Sequence, residues 1–184
     1  MRTTTCRIAI ASVLLLSVPV QLAFTASESV LSQEKEQVTR LVERFLQAFE
    51  KLDMANFIRC FADDATVYFP QPEPAGRFDG REAIKTHFEQ VFAAIRRTST
   101  RSTPPFHRLI PEDLRVQLLG DSSAVVTFRL SNADRIARRT LVLEKLGNAW
   151  FIVHVHASNV PVLRQSPAPK TVKPAQAHEE RTPN

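Results

Sequence analysis

Between residues 112 and 158 the hydrophobic period is two. "EDLRVQLLG", "SSAVVTFRLS", "RRTLVLEKL" and "AWFIVHVHAS" each alternate apolar and polar side chains, and "GD", "NADRI" and the Gly147-Asn148 pair separate them. Four such strands joined by short turns bury their apolar faces by pairing side by side, mainly antiparallel. The block follows a region with a different period, and that contrast fixes the fold class more tightly than any single motif.

Upstream, Val38, Leu41, Val42, Phe45 and Phe49 recur at three and four. The spacing predicts an amphipathic helix over residues 33–52 with Ser32 as its cap. A second, short helix is expected after Asp53; it buries Met54, Phe57 and Phe61 and ends at "ADDA", where Asp63 and Asp64 serve a turn. A catalytic carboxylate pair is disfavoured there, because adjacent residues on a turn point apart. "ATVYFP" reads as a strand stopped by Pro70, and the loop "QPEPAGRFDG" leads to a third helix with Ile84, Phe88, Val91, Phe92 and Ile95 on one face. Three helices followed by mainly antiparallel strands, with one strand inserted before the last helix, make an α+β domain.

The ends read differently. Arg2 and Arg7, an apolar run from Ile8 to Val20 and small residues around Ala23 to Ser27 have the layout of a secretory signal peptide over residues 1–26, cut near Ala26. The apolar run falls short of the ~20 residues of a membrane-spanning helix, with an uncleaved anchor reaching Phe24 as the alternative. The expectation is an exported protein, periplasmic or secreted, with no membrane association after cleavage. Residues 161–184 hold five prolines and almost no large apolar side chain, so residues 163–184 are expected to form a disordered, proline-rich tail.

A pI near 9.7 invites a nucleic-acid reading. Located along the chain, the charge does not support it: residues 27–184 carry 22 basic and 19 acidic side chains, and no basic stripe with interleaved aromatics occurs. Loss of the signal leaves Cys60 alone, which excludes an internal disulfide. Its spacing from Phe57 suggests a buried, unreactive helix position.

The order of elements resembles the nuclear transport factor 2-like superfamily and its SnoaL-like domains, relatives of ketosteroid isomerases and polyketide cyclases. The resemblance covers residues 30–162. It is carried by the helix pair ending in "CFADDATVYFP", the Gly80-Arg81-x-x-Ile84 opening of the third helix, and the strand Trp150-x-Ile152-x-His154-x-His156-x-Ser158. It implies a cone-shaped α+β barrel: three N-terminal helices packed on a curved, mainly antiparallel sheet, with a pocket open at one end. Members share the cone and differ in its contents. The family's catalytic tyrosine and aspartate positions fall on Phe45 and Phe69, and no carboxylic acid lies between Thr140 and Leu143, where the oxyanion-hole acid would fall. Isomerisation by the family mechanism is therefore not expected.

If the final strand keeps a period of two, Trp150, Ile152, His154, His156 and Ser158 share one face, which the resemblance makes the pocket side. The expected ligand-binding set is His154, His156, Trp150, Arg139, Phe45, Phe69, Phe88 and Phe92, with Leu141 and Leu143 on the walls. The Gly147-Asn148 hairpin puts Arg139 opposite His156, and a register one residue off substitutes Arg138. The histidines have three readings: a satisfied hydrogen bond, a ligand contact, or catalysis or metal binding, the last needing a third ligand from Glu144, His107 or Asp64. Neither cofactor nor resident metal is expected. His87 is expected to flank the core face of its helix, His107 to sit at a pocket rim or in solvent, Tyr68 to pack opposite Phe69, and Arg81 to pair with Glu82 or Asp79.

Phe151, Val153, Val155 and Ala157 would then form an apolar outer face suited to a homodimer. The leading functional expectation is an exported domain that binds a small, largely apolar molecule. The alternatives are an enzyme using His154 or His156 as general base, and a dimerising protein-interaction module.

Overall fold

The computed structural model describes residues 21–70, 76–132 and 134–162, with side chains from Glu28 onward. Most of the predicted signal segment and all of the predicted tail lie outside the described residues.

Helix α1 (Gln21–Lys51) starts well before the expected Ser32 cap. Neither glycine nor proline occurs between Pro19 and Pro70, so nothing in the local chemistry stops the helix at Ser32. Of the expected stripe, Val38, Leu41, Val42 and Phe45 are buried and Phe49 is partly buried, with Leu46 a further buried residue that the spacing did not predict. Leu52, at φ 53°, ends it by donating to the Phe49 carbonyl. The Asp53 carboxylate then caps α2 (Met54–Ile58), accepting from the Asn56 N–H at 3.1 Å. This single turn places Phe57, fully buried, against Phe45, Phe61, Phe88 and Phe92, with ring centroids 4.6–5.3 Å apart.

Strand β1 (Phe61–Tyr68) begins earlier than its sequence suggests and takes Asp63 and Asp64 into an irregular stretch between the paired residues Phe61 and Thr66. The turn expected at these aspartates is absent, because Phe61 is already paired with Ile152 across the sheet. Cys60 sits in the bend before β1 rather than on a helix; burial pushes its thiol up to about 11, consistent with an inert side chain. After β2 (Arg77–Asp79) the chain turns at Gly80, whose φ of 84° favours glycine, into α3 (Arg81–Thr98). Arg81 does not pair with Glu82 or Asp79. Its guanidinium donates to the Phe61 carbonyl at 2.8 and 3.1 Å and meets the Asp63 carboxylate at 2.7 Å, so the start of α3 braces the irregular part of β1.

The remaining strands are β3 (Glu112–Leu118), β4 (Ser123–Ser131), β5 (Arg135–Leu146) and β6 (Ala149–Pro161). All six form one sheet in the order β2-β1-β6-β5-β4-β3, antiparallel except for the β1/β6 pair. The sheet is curved but unclosed. Its inner face and the helices enclose one core, in which Ile84, Val126, Leu141, Leu143 and Ile152 are fully buried.

The β5/β6 hairpin turns at Gly147-Asn148 as expected and pairs Leu146 with Ala149 and Leu143 with Ile152. The next pair is Val142 with His154. Val153 is an extra residue, a β-bulge, and every side chain beyond it changes face. Trp150 and Ile152 point inward before the bulge, and Val155 and Ala157 are the buried residues after it. The expected continuous face from Trp150 through His156 is therefore corrected, and so is the all-apolar outer row, since Val155 and Ala157 belong to the core side.

Trp150 ties α1 to this hairpin. Its indole Nε1 donates to Glu34 at 2.8 Å, and the ammonium of Lys145 donates to the other oxygen of the same carboxylate at 2.6 Å. The Lys145 and Trp150 hydrogen bonds hold the Glu34 carboxyl below its ordinary value. A lowered carboxylate contributes stability that is fully present above the unfolded value and lost as pH falls through the folded one. Glu34→Gln is expected to lower the melting temperature at pH 7 by about 2–4 °C, the shift for ~1 kcal/mol in a chain of this size. The difference from the parent should begin to narrow as pH falls below about 4.5, the ordinary value, and keep shrinking toward the lower folded one. Melting curves at pH 7 and pH 3.5 check it, and a constant difference would show that the carboxylate charge is not what holds the hairpin.

Candidate functional site

Between the helices and the curved sheet lies an enclosed cavity of about 110 Å³. α1 contributes Phe45, Leu46 and Phe49, β1 supplies Phe61 and Val67 with Phe69 just beyond it, and α3 supplies Phe88. β4 adds Phe128 and Leu130, the α3–β3 connection adds Leu109, and Arg139, Val155 and Ala157 close the sheet side. Arg139 is the one polar side chain among these described residues. Phe49, Phe69, Leu109, Leu130 and Arg139 also line a wider cleft of about 670 Å³, whose walls carry His107, Arg108, Glu112, Arg135, Asn132 and Asn159.

The bulge explains why an arginine sits here. Arg139 pairs with Ala157, not His156, and both face inward; Arg138 pairs with Ser158 on the outer side. Ala157 is small, which leaves room for the guanidinium beside it. The Arg139 Nη1 donates to the carbonyls of Arg138 at 2.8 Å and Ser158 at 3.2 Å. Among the described residues no carboxylate pairs with it. Burial, and secondly the nearby Arg135 charge, lower its pKa to about 10, so it stays cationic at neutral pH.

The connection from α3 to β3 forms the other wall. Glu50 of α1 holds it: its carbonyl accepts from Phe106 N–H at 2.8 Å and its carboxylate from Leu109 N–H at 2.5 Å. His107, between these two anchors, faces the cleft, and its Nε2 has no partner among the described residues. Burial lowers its pKa, partly offset by Glu50, and favours the neutral ring. His87 is likewise uncharged by burial, stacked on Phe78 at 4.1 Å and set against Phe69 at 5.1 Å.

The structure brings Phe45, Phe69, Phe88 and Arg139 to the cavity. Phe92 packs behind it against Phe49, Phe57 and Phe88, one turn of α3 too far along, and opens on a separate groove with Leu52 and Met54. Leu141 and Leu143 are core residues. Trp150 is engaged with Glu34 at the other end of the sheet.

His154 and His156 lie on the outer face. The His154 Nδ1 shares a hydrogen bond with the Thr66 hydroxyl at 2.7 Å, and Tyr68 stands between the two imidazoles, with centroids 6.0 and 6.1 Å away. Burial first, then His156 and Arg77, lower the His154 pKa. Of the proposed third metal ligands, His107 is on the inner side and Glu144 pairs with Phe151 beyond the bulge. Among the described residues no three His, Cys, Asp or Glu side chains gather closely enough to hold a metal ion.

The family description "SnoaL-like domain" matches residues 38–163, more than half of the chain. The chain belongs to the SnoaL-like domain family. Solved structures agree on the fold. An NTF2-like protein of unknown function from Pseudomonas putida KT2440 is 21% identical, with 78% of this chain and 98% of that one covered and a TM-score of 0.58. An NTF2-like protein with a cystatin-like fold from Novosphingobium aromaticivorans is 14% identical, with 82% and 95% covered and a TM-score of 0.59. A proposed dehydratase of the NTF2-like family from Streptomyces avermitilis is 19% identical, with 72% and 99% covered and a TM-score of 0.55. No curated protein of assigned function matches the sequence. At these identities the SnoaL-like fold is what is shared, and the contents of this chain's cavity must be read from its own residues.

Sequence reasoning missed Phe49, Phe61, Phe128, Leu130, Val155 and Ala157 as cavity walls. The alternation Ala124, Val126, Phe128 in β4 carried the signal for Phe128. Leu109 had none, because its place depends on Glu50, fifty-nine residues away along the chain.

Proposed function

We propose that this SnoaL-like domain binds a small, largely apolar molecule in the cone, without the family's isomerase chemistry. The enclosed chamber between helices and sheet carries this reading. Six phenylalanines line it, two of them, Phe45 and Phe69, at the positions where the resemblance expects a catalytic tyrosine and aspartate. Among the described residues its lining includes no carboxylate, hydroxyl or imidazole that could move a proton. An apolar cavity with few convergent polar groups is the usual make-up of a small-molecule site. Export by way of the N-terminal segment remains part of the proposal, on the sequence layout alone.

A second reading, an enzyme, rests on His107. It is the imidazole on the cleft wall among the described residues, neutral and with a buried, unpartnered Nε2, whereas His154 and His156 face away from the cleft. Loss of turnover on His107→Gln with binding retained would favour this reading.

Two outcomes are expected. Ala157→Phe places a ring in the chamber and should weaken binding of a neutral single-ring probe such as phenol by at least about tenfold, with a stability change within the ~1–3 kcal/mol of an overpacked core. Calorimetry with parent and variant checks it; unchanged phenol affinity would place the ligand elsewhere. The homodimer is proposed through the outer sheet face, where Phe151 and Val153 remain half-buried beside Val142 and Val125. Sedimentation at micromolar concentration should give twice the chain mass, and a stable monomer would reject it.

A further inference from the structure

We propose that the ligand of this cavity is an anion, a carboxylate on a single aromatic or alicyclic ring, with the carboxylate held by Arg139 where the enclosed chamber meets the cleft. The inference rests on the cavity reading above and adds the chemical class of the occupant.

Arg139 is half-buried at an apolar wall, where the lowered local dielectric strengthens the attraction of a guanidinium for an anion. Arg139 has two backbone carbonyls on Nη1. Its Nε and Nη2 have no partner among the described residues, and together they form the edge of a guanidinium that fits a carboxylate with two parallel hydrogen bonds. The other charges around the site do not supply the missing anion. Glu112, at the cleft wall, is taken by the Ser131 hydroxyl at 2.9 Å and faces Arg129 at 3.8 Å. Glu50 is held by the Leu109 N–H. Arg108 and Arg135 add positive charge along the same wall, and His107 is neutral.

Size and position set the rest. The chamber of about 110 Å³ is somewhat smaller than the apolar cavity of roughly 150 Å³ known to take benzene, so it suits one ring and little more. Arg139 lines both chamber and cleft, which places its free edge at the boundary. A ring among Phe45, Phe69, Phe88 and Phe128 would then project a short acidic arm toward the guanidinium.

The test uses the full chain and three matched pairs: benzoate, phenylacetate and trans-cinnamate, each against its neutral amide, by calorimetry at pH 7. At least one acid should bind about tenfold or more tightly than its amide. Arg139→Gln should erase the preference, with Arg139→Lys retaining part of it. The melting temperature of ligand-free Arg139→Gln should be unchanged, since the guanidinium is half-buried and no ion pair among the described residues is lost. Equal binding of acids and amides by the parent would overturn the anion assignment and leave the cavity reading standing. Absence of binding by all six compounds, together with no binding of phenol, would overturn both. A clear fall in melting temperature on Arg139→Gln would make the guanidinium a structural group and reject the proposal.

Discussion

One inserted residue sets the interior of this domain. At Val153 the sixth strand advances two residues, from Ile152 to His154, while β5 advances one and β1 runs from Phe61 to Thr66. Both pairings of β6, with β5 and with β1, thus shift register at the same level, and the strand bends there. Arg81 and Gly80, at the opening of α3, hold the β1 side of the bend through the Phe61 and Ala65 carbonyls and Asp63. Without the extra residue, His156 rather than Ala157 would stand opposite Arg139, and the small residue that gives the guanidinium its space would lie on the outer face.

The contents of the cone follow from that phase. Phe45, Phe49, Phe61, Phe88 and Phe92 pack around Phe57 in stacked, tilted and edge-to-face contacts, Phe69 joins through Phe88, and the sheet closes the cluster with Val155, Ala157 and Phe128. Packing by rigid rings leaves an apolar void beside Arg139, the one charged side chain that lines it among the described residues. Arg139 is half-buried there and tied to the sheet by two backbone carbonyls, and the proposed ligand would give its remaining donors a partner. The imidazoles on the opposite face belong to a separate polar row with Thr66, Tyr68 and Thr140, adjoining the half-buried Phe151 and Val153.

Much of this was legible in local pattern. The stripe Val38 to Phe49, the Gly147-Asn148 hairpin, the α+β order and the resemblance to the SnoaL-like fold all rest on spacing within a few residues, and the structure has each of them. What was hidden depends on distant partners or on a one-residue insertion. "WFIVHVHAS" opens with four consecutive apolar residues, Trp150 to Val153, where the alternation loses its phase. Read from Trp150 forward, the histidines fall inside; read from Ala157 backward, Val155 and Ala157 fall inside and the histidines outside. Polarity favoured the second reading, because burying two imidazoles requires partners that the strand itself does not supply. Arg81 was misassigned for a related reason: its acid is Asp63, eighteen residues earlier, brought close only by the bend in β1.

The chain has a single tyrosine, Tyr68, and that makes the phase of β6 directly measurable. In a nuclear Overhauser spectrum its ring protons should show cross-peaks to the ring protons of both His154 and His156, whose centroids lie 6.0 and 6.1 Å away, while the Ala157 methyl shows cross-peaks to the phenylalanines of the cavity. Cross-peaks from the histidines to those phenylalanines, with none to Tyr68, would show that the strand runs in unbroken alternation from Trp150 and would contradict the account.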